Sequence, residues 1–268
     1  MSVANARVGE PASWRVWLFR IVALVVGLLF ATNLTAAAQP WFPSAPGPPV
    51  TLPTLHRWSI PLAAGIDGIS ALVLLYFAWR PRQPPLFLQY FALVIVIFIV
   101  VTTPFERALG IAVIAALPLA AYPWPRQLLV PPWRDGVRWP LLALAVFAGA
   151  LLLADAWLAL QAQIHRTDEL ARTSADYATN VEHLLGLCAA MLLVASRRPG
   201  RIPLVVMLGA ELLYLGAVAI SVPNAPGSWG TIGGALSVLV GIVYLLDLAN
   251  EFRQRRHRAT LLAGPQEA

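Results

Sequence analysis

The stretch 139–160, WPLLALAVFAGALLLADAWLAL, decides the fold. It is apolar throughout except for Asp155. A bilayer's hydrocarbon core takes roughly 20 apolar residues as a helix, at about 1.5 Å rise each. The stretch therefore reads as a membrane span that carries one acid. Working outward in both directions, the same reading gives eight candidate spans: about 17–37, 59–79, 86–103, 108–122, 139–160, 177–195, 202–221 and 230–249. The fourth is short and contains Pro118, so a tilted, kinked or re-entrant segment is expected there.

Arginine placement bears on this count independently. Arg7 and Arg15 precede span one, and Arg80 and Arg82 follow span two. Arg126, Arg134 and Arg138 lie between spans four and five, and Arg197, Arg198 and Arg201 between six and seven. Arg253, Arg255, Arg256 and Arg258 follow span eight. The alternate connections carry few arginines or mix them with acids, as Arg107 beside Glu106 and Arg166 beside Asp168 show. This alternation predicts an even number of spans in a bacterial-type inner membrane, with both termini cytoplasmic. Ala36-Ala37-Ala38 is similar to a signal-peptidase site, but the preceding apolar run is longer than a signal core, so a retained first helix is expected.

Composition agrees with a membrane chain. Of the 268 residues, 59% are hydrophobic and 12% charged, where soluble domains average about 45–50% apolar and about 25% charged. The net charge of +6 comes from arginines that flank spans, with no basic stripe for nucleic acid. All 19 Lys-or-Arg positions are arginine. That excludes a lysine Schiff base and hence a retinal pigment built on this chain. Cys188 is the single cysteine, which excludes an internal disulfide or a paired-cysteine redox centre.

The expected fold is all-α: a polytopic bundle of about eight transmembrane helices forming one membrane domain over 1–268, with a short tail at 251–268. Span one and span five align without gaps, pairing Trp17 with Trp139, Gly27 with Gly149, Asn33 with Asp155 and Gln39 with Gln161. Two four-helix halves, 14–122 and 136–250, are expected as a parallel repeat about an axis along the membrane normal. The connection at 39–57 is rich in proline and reads as stiff and extended. Nine of the ten tryptophans fall near span ends, as an interfacial aromatic belt requires.

Four acids lie inside apolar runs: Asp67, Asp155, Glu211 and Asp247. A charge at such a depth costs several kcal/mol, so these side chains face a bundle interior or a cavity. Asp67 has Ala63, Ala64, Ser70 and Ala71 one turn away, with Gly65 and Gly68 beside it. Small residues let helices approach closely. Glu211 lies mid-span with Tyr214 nearby. Asp67, Glu211 and Asp155 are the candidate proton- or ion-binding residues. Asp247, near the end of its span, is expected to pair with Arg253 or Arg255.

The segment with His165, Arg166, Asp168, Glu169, Asp176, Glu182 and His183 gathers most of the titratable groups and is expected to be solvated, without a metal. No catalytic residue or cofactor is assigned. His56 and His183 are the weakest candidates, as axial ligands to a haem. Gly233, Ser237 and Gly241 form a small-residue face on span eight, with Gly230 and Gly234 on the next ridge, and predict tight packing within the bundle, against a partner subunit or in self-association.

The function expected from these features is a small proton- or ion-coupled transporter or permease for a small or lipophilic solute. The alternatives are a non-catalytic accessory or scaffold subunit of a larger membrane complex, and an intramembrane lipid or isoprenoid enzyme with a buried carboxylic acid. The enzyme reading requires a lateral opening that ends at Asp67 or Glu211. The lipid bilayer is the one partner the composition implies, and nucleic acid is excluded.

Overall fold

Ten α-helices are described in a computed structural model that covers residues 12–42, 56–81, 86–105, 109–167, 169–198 and 200–263. The side chains of His56, Glu169, Leu170, Arg256 and residues 258–263 lie outside the described set. So do most of the proline-rich connection and Arg7, Arg82, Glu106, Arg107 and Asp168. In chain order the helices are α1 (Ser13–Ala31), α2 (Leu34–Ala37), α3 (His56–Trp79), α4 (Leu86–Val101), α5 (Leu109–Ala121), α6 (Trp139–His165), α7 (Glu169–Thr173), α8 (Asp176–Val194), α9 (Arg201–Ser221) and α10 (Gly230–Ala263). Among the described residues the one β feature is an isolated bridge between Val137 and Ser196.

Six segments are long and apolar enough to cross a membrane: Ser13–Ala37, Arg57–Trp79, Trp139–His165, Asp176–Val194, Arg201–Ser221 and Gly230–Arg255. The expected third and fourth spans are shorter helices, α4 of 16 residues and α5 of 13. At 1.5 Å per residue these reach about 24 and 20 Å, short of the roughly 30 Å hydrocarbon core. Eight full-length crossings are therefore not what the helix lengths give.

The helices are not equivalent. In α8, 78% of the most apolar stretch is buried, against 22% in the first span and 28% in α10. So α8 is the hub of the bundle, packed by α6, α4, α3 and α9. It is also the least apolar of the six, with a mean hydropathy of 1.4. A helix that shows lipid little surface has little need of an apolar outer face, so it can carry polar groups inward. The outer helices α1 and α10 do the reverse and present Leu24, Leu28, Leu239 and Leu246 outward.

Packing follows small residues. Glycine at 65 lets the Tyr214 ring lie against α3; a Cβ there would sit 2.0 Å from Cε1. On α10, Gly234 meets Gly216 of α9 so closely that a Cβ on either would be 2.6–2.7 Å from the other's carbonyl oxygen. Ser237 Oγ donates to the Leu212 carbonyl at 2.8 Å, and Gly241 rests on Gly209 and Leu212. Ser237 and Gly241 are thus used inside the chain, against α9. Most tryptophans stay exposed at helix ends, but Trp58 is fully buried and packs edge-on against Trp229, with centroids 5.2 Å apart.

Candidate functional site

The site begins where the first span breaks. Thr32 Oγ1 donates to the Leu29 carbonyl at 2.6 Å, a local bond that competes with the helical ladder and bends it. The break turns Asn33 inward, and its Nδ2 donates to Asp67 Oδ2 at 3.1 Å. Beyond the break, Ala36 and Ala37 pack on Ala64 of α3, and Leu34 fills the space left by Gly68. The small residues around Asp67 thus admit α2 and hold its carboxyl partner in place.

Asp67 shares a cavity of about 30 Å³ with Ser70, Tyr90, Glu182, His183 and Gly186, closed by Phe30, Ile66, Phe91 and Val94. A water needs at least about 10–15 Å³ and two or more polar partners, so the cavity is sized for one water and not for a solute. Its polar walls come from α3, α4 and α8. Glu182 accepts from Thr102 Oγ1 at 3.1 Å. The ring of His183 donates through Nδ1 to the Thr179 carbonyl at 2.6 Å. That leaves Nε2 as the basic atom of the neutral imidazole.

Glu182 and His183 correct the sequence reading. They were expected in a solvated segment, yet both are buried, at 6% and 7% exposure. Adjacent residues point about 100° apart on a helix, but α8 is enclosed on several sides, so both directions lead inward. The sequence carries a signal for this, because the apolar stretch 177–195 contains both residues.

Glu211 lies on α9 with no exposed surface. Neither carboxyl oxygen has a hydrogen-bond partner among the described residues. Its expected neighbour Tyr214 is engaged elsewhere, with its hydroxyl 2.8 Å from the carbonyls of Ala37 and Pro61. Glu211 does not line the cavity that holds Asp67.

The two remaining acids stand apart. Asp155 accepts from Trp229 Nε1 at 2.9 Å. Together they end an apolar groove of about 420 Å³ between α6 and α10, floored by Met191 and Leu212. This lateral groove reaches Asp155 and not Asp67 or Glu211, so it lacks the geometry the intramembrane-enzyme reading required. Asp247 pairs with Arg138 at 2.9 Å and Arg201 at 3.1 Å. Arg253 and Arg255 are not its partners; Arg255 binds Glu251 at 2.5 Å.

Among the described residues no group of three or more His, Cys, Asp or Glu side chains is arranged to hold a metal ion. Of the haem candidates, the side chain of His56 lies outside the described residues, and His183 belongs to the cavity above. No protein-family model, characterised protein or solved structure matches the chain, so the chemistry of these residues carries the functional reading.

Proposed function

We propose that the chain is a multi-pass membrane protein that couples proton binding at Asp67, Glu182 and His183 to passage of a small solute. The single observation that carries this reading is the convergence of three titratable side chains and Tyr90 on one water-sized cavity deep in the bundle. Intramembrane acids and histidines gathered around one water-sized cavity are the parts of a proton relay. Asp67 and Glu182 each already have one hydrogen-bond donor. A proton can therefore move among them and His183 Nε2, through a water, without stranding a carboxylate. The cavity is too small for a solute, so passage requires the helices around it to move apart.

The finer architecture belongs to the same proposal. With α4 and α5 crossing as short elements in a locally thinned bilayer, the chain makes eight passes, with both termini on the arginine-rich, cytoplasmic side of a bacterial-type inner membrane. The helix pairings support a parallel repeat: α1 packs on α3 as α6 packs on α8, and α3 packs on α9 as α8 packs on α4.

The test is proton movement into vesicles that hold the purified chain and a pH-sensitive dye, under an imposed potassium diffusion potential and across a panel of small solutes. Wild type is expected to acidify the lumen faster than protein-free vesicles with at least one solute, and Asp67→Asn and His183→Asn to return to the protein-free rate. Wild type indistinguishable from empty vesicles across the panel would remove the proposal and leave the scaffold reading.

A further inference from the structure

The arginine-rich end of the bundle holds a second constellation, independent of the buried acids. Arg138 caps α6 and Arg201 begins α9, where Gly200 at φ +87° makes the turn from α8. Both guanidinium groups reach α10. Arg138 binds Asp247 at 2.9 Å and Glu251 at 3.0 Å; Arg201 binds Asp247 at 3.1 Å and also Glu251. Arg255 closes on Glu251 from one turn further along α10. Each carboxylate is therefore already held by at least two guanidinium groups.

Arg197 enters the same space, and no carboxylate partner for it is found among the described residues. A pocket of about 230 Å³ lies between Arg138, Arg197, Arg201 and Glu251. The four arginines 138, 197, 201 and 255 set against Asp247 and Glu251 leave a net charge of +2 (four minus two). The pocket sits at the helix ends, level with Trp139, which is 72% exposed. Exposed tryptophan at a span end marks the headgroup zone. Basic pockets between helices at that level bind lipid phosphate, and guanidinium groups match its oxygens as paired donors.

We propose that this pocket binds the phosphate of an anionic membrane phospholipid, with Arg197 as the group that meets it first and Arg138 and Arg201 as the walls. The ion pairs to Asp247 and Glu251 hold those walls in position. A lipid seated here would bridge the ends of α6, α9 and α10.

The experiment is native mass spectrometry of the purified full chain in a zwitterionic detergent. Phosphatidylglycerol, phosphatidylcholine or inorganic phosphate alone is titrated in. Phosphatidylglycerol is expected to bind more tightly than phosphatidylcholine. Arg197→Gln, which leaves the ion pairs intact, should weaken that binding about fivefold, as loss of one arginine at a headgroup implies. Arg253→Gln, an equal charge loss on α10 outside the pocket, should weaken it less. Equal binding of the two lipids overturns the proposal, as does an equal effect of the two substitutions, which would mean diffuse attraction. Inorganic phosphate competing at concentrations similar to the lipid overturns the assignment to a lipid headgroup.

Discussion

Asn33 Nδ2 lies 3.1 Å from Asp67 Oδ2, joining the broken end of the first span to the middle of α3. The bond spans two helices at a depth without bulk water, so its loss strands a polar group. Asp67→Asn keeps an acceptor for Asn33 and should change stability by less than about 1 kcal/mol. Asp67→Leu leaves the Asn33 amide unpaired and should cost about 1–3 kcal/mol. Denaturant unfolding in detergent separates the two; equal losses would show that the bond is not formed.

Glu211 should behave in the opposite way. With no surface exposed and no hydrogen-bond partner found for either oxygen among the described residues, its carboxyl carries a desolvation cost of about 1–3 kcal/mol. Glu211→Met should therefore stabilise the protein by about that amount, and Glu211→Gln should not. A higher unfolding midpoint for the methionine variant, together with slower proton-driven uptake, would mark a residue kept for function against stability. A large loss of stability on Glu211→Met would instead reveal a structural partner.

Of the two glycines on α3, Gly65 is approached more closely, by the Tyr214 ring. A methyl at 65 would lie 2.0 Å from Tyr214 Cε1, so Gly65→Ala must displace the ring and its bonds to Ala37 and Pro61. Overpacking of this kind costs about 1–3 kcal/mol. Tyr214→Leu in the Gly65→Ala background should recover part of it, as a double-mutant cycle measures. Strictly additive losses would place the ring elsewhere.

Two of the three arginines on Glu251, Arg201 and Arg255, should differ sharply. Arg201 has a side chain 5% exposed, and Arg201→Met leaves Asp247 and Glu251 short of a buried cation, a loss of about 3–5 kcal/mol. Arg255 is 63% exposed, and Arg255→Gln should cost less than about 1 kcal/mol, vanishing at high salt. Thermal unfolding at low and high ionic strength distinguishes them. Similar, salt-sensitive losses for both would place the Arg201 pair in water.

Residue order alone determined that this is a membrane chain of many apolar helices. It did so because solvation by lipid is a property of a segment: a run such as 139–160 is apolar whatever it packs against. It likewise marked Asp67 and Glu211, since an acid in such a run stands out locally, and the small residues around Asp67 are its neighbours in sequence. Which helix forms the hub was not legible, because α8 differs from its neighbours only by modestly lower hydropathy. For that reason Glu182 and His183 read as solvated, although enclosure by α3, α4 and α6 buries both. The pairing of Asp247 with Arg138 and Arg201, and the position of Arg197 over the pocket they line, depend on the rotation of α6, α9 and α10 about their axes. That rotation is set by close contacts such as Gly216 on Gly234. Only the tertiary structure decides it, because the energy that selects it lies between helices rather than along the chain.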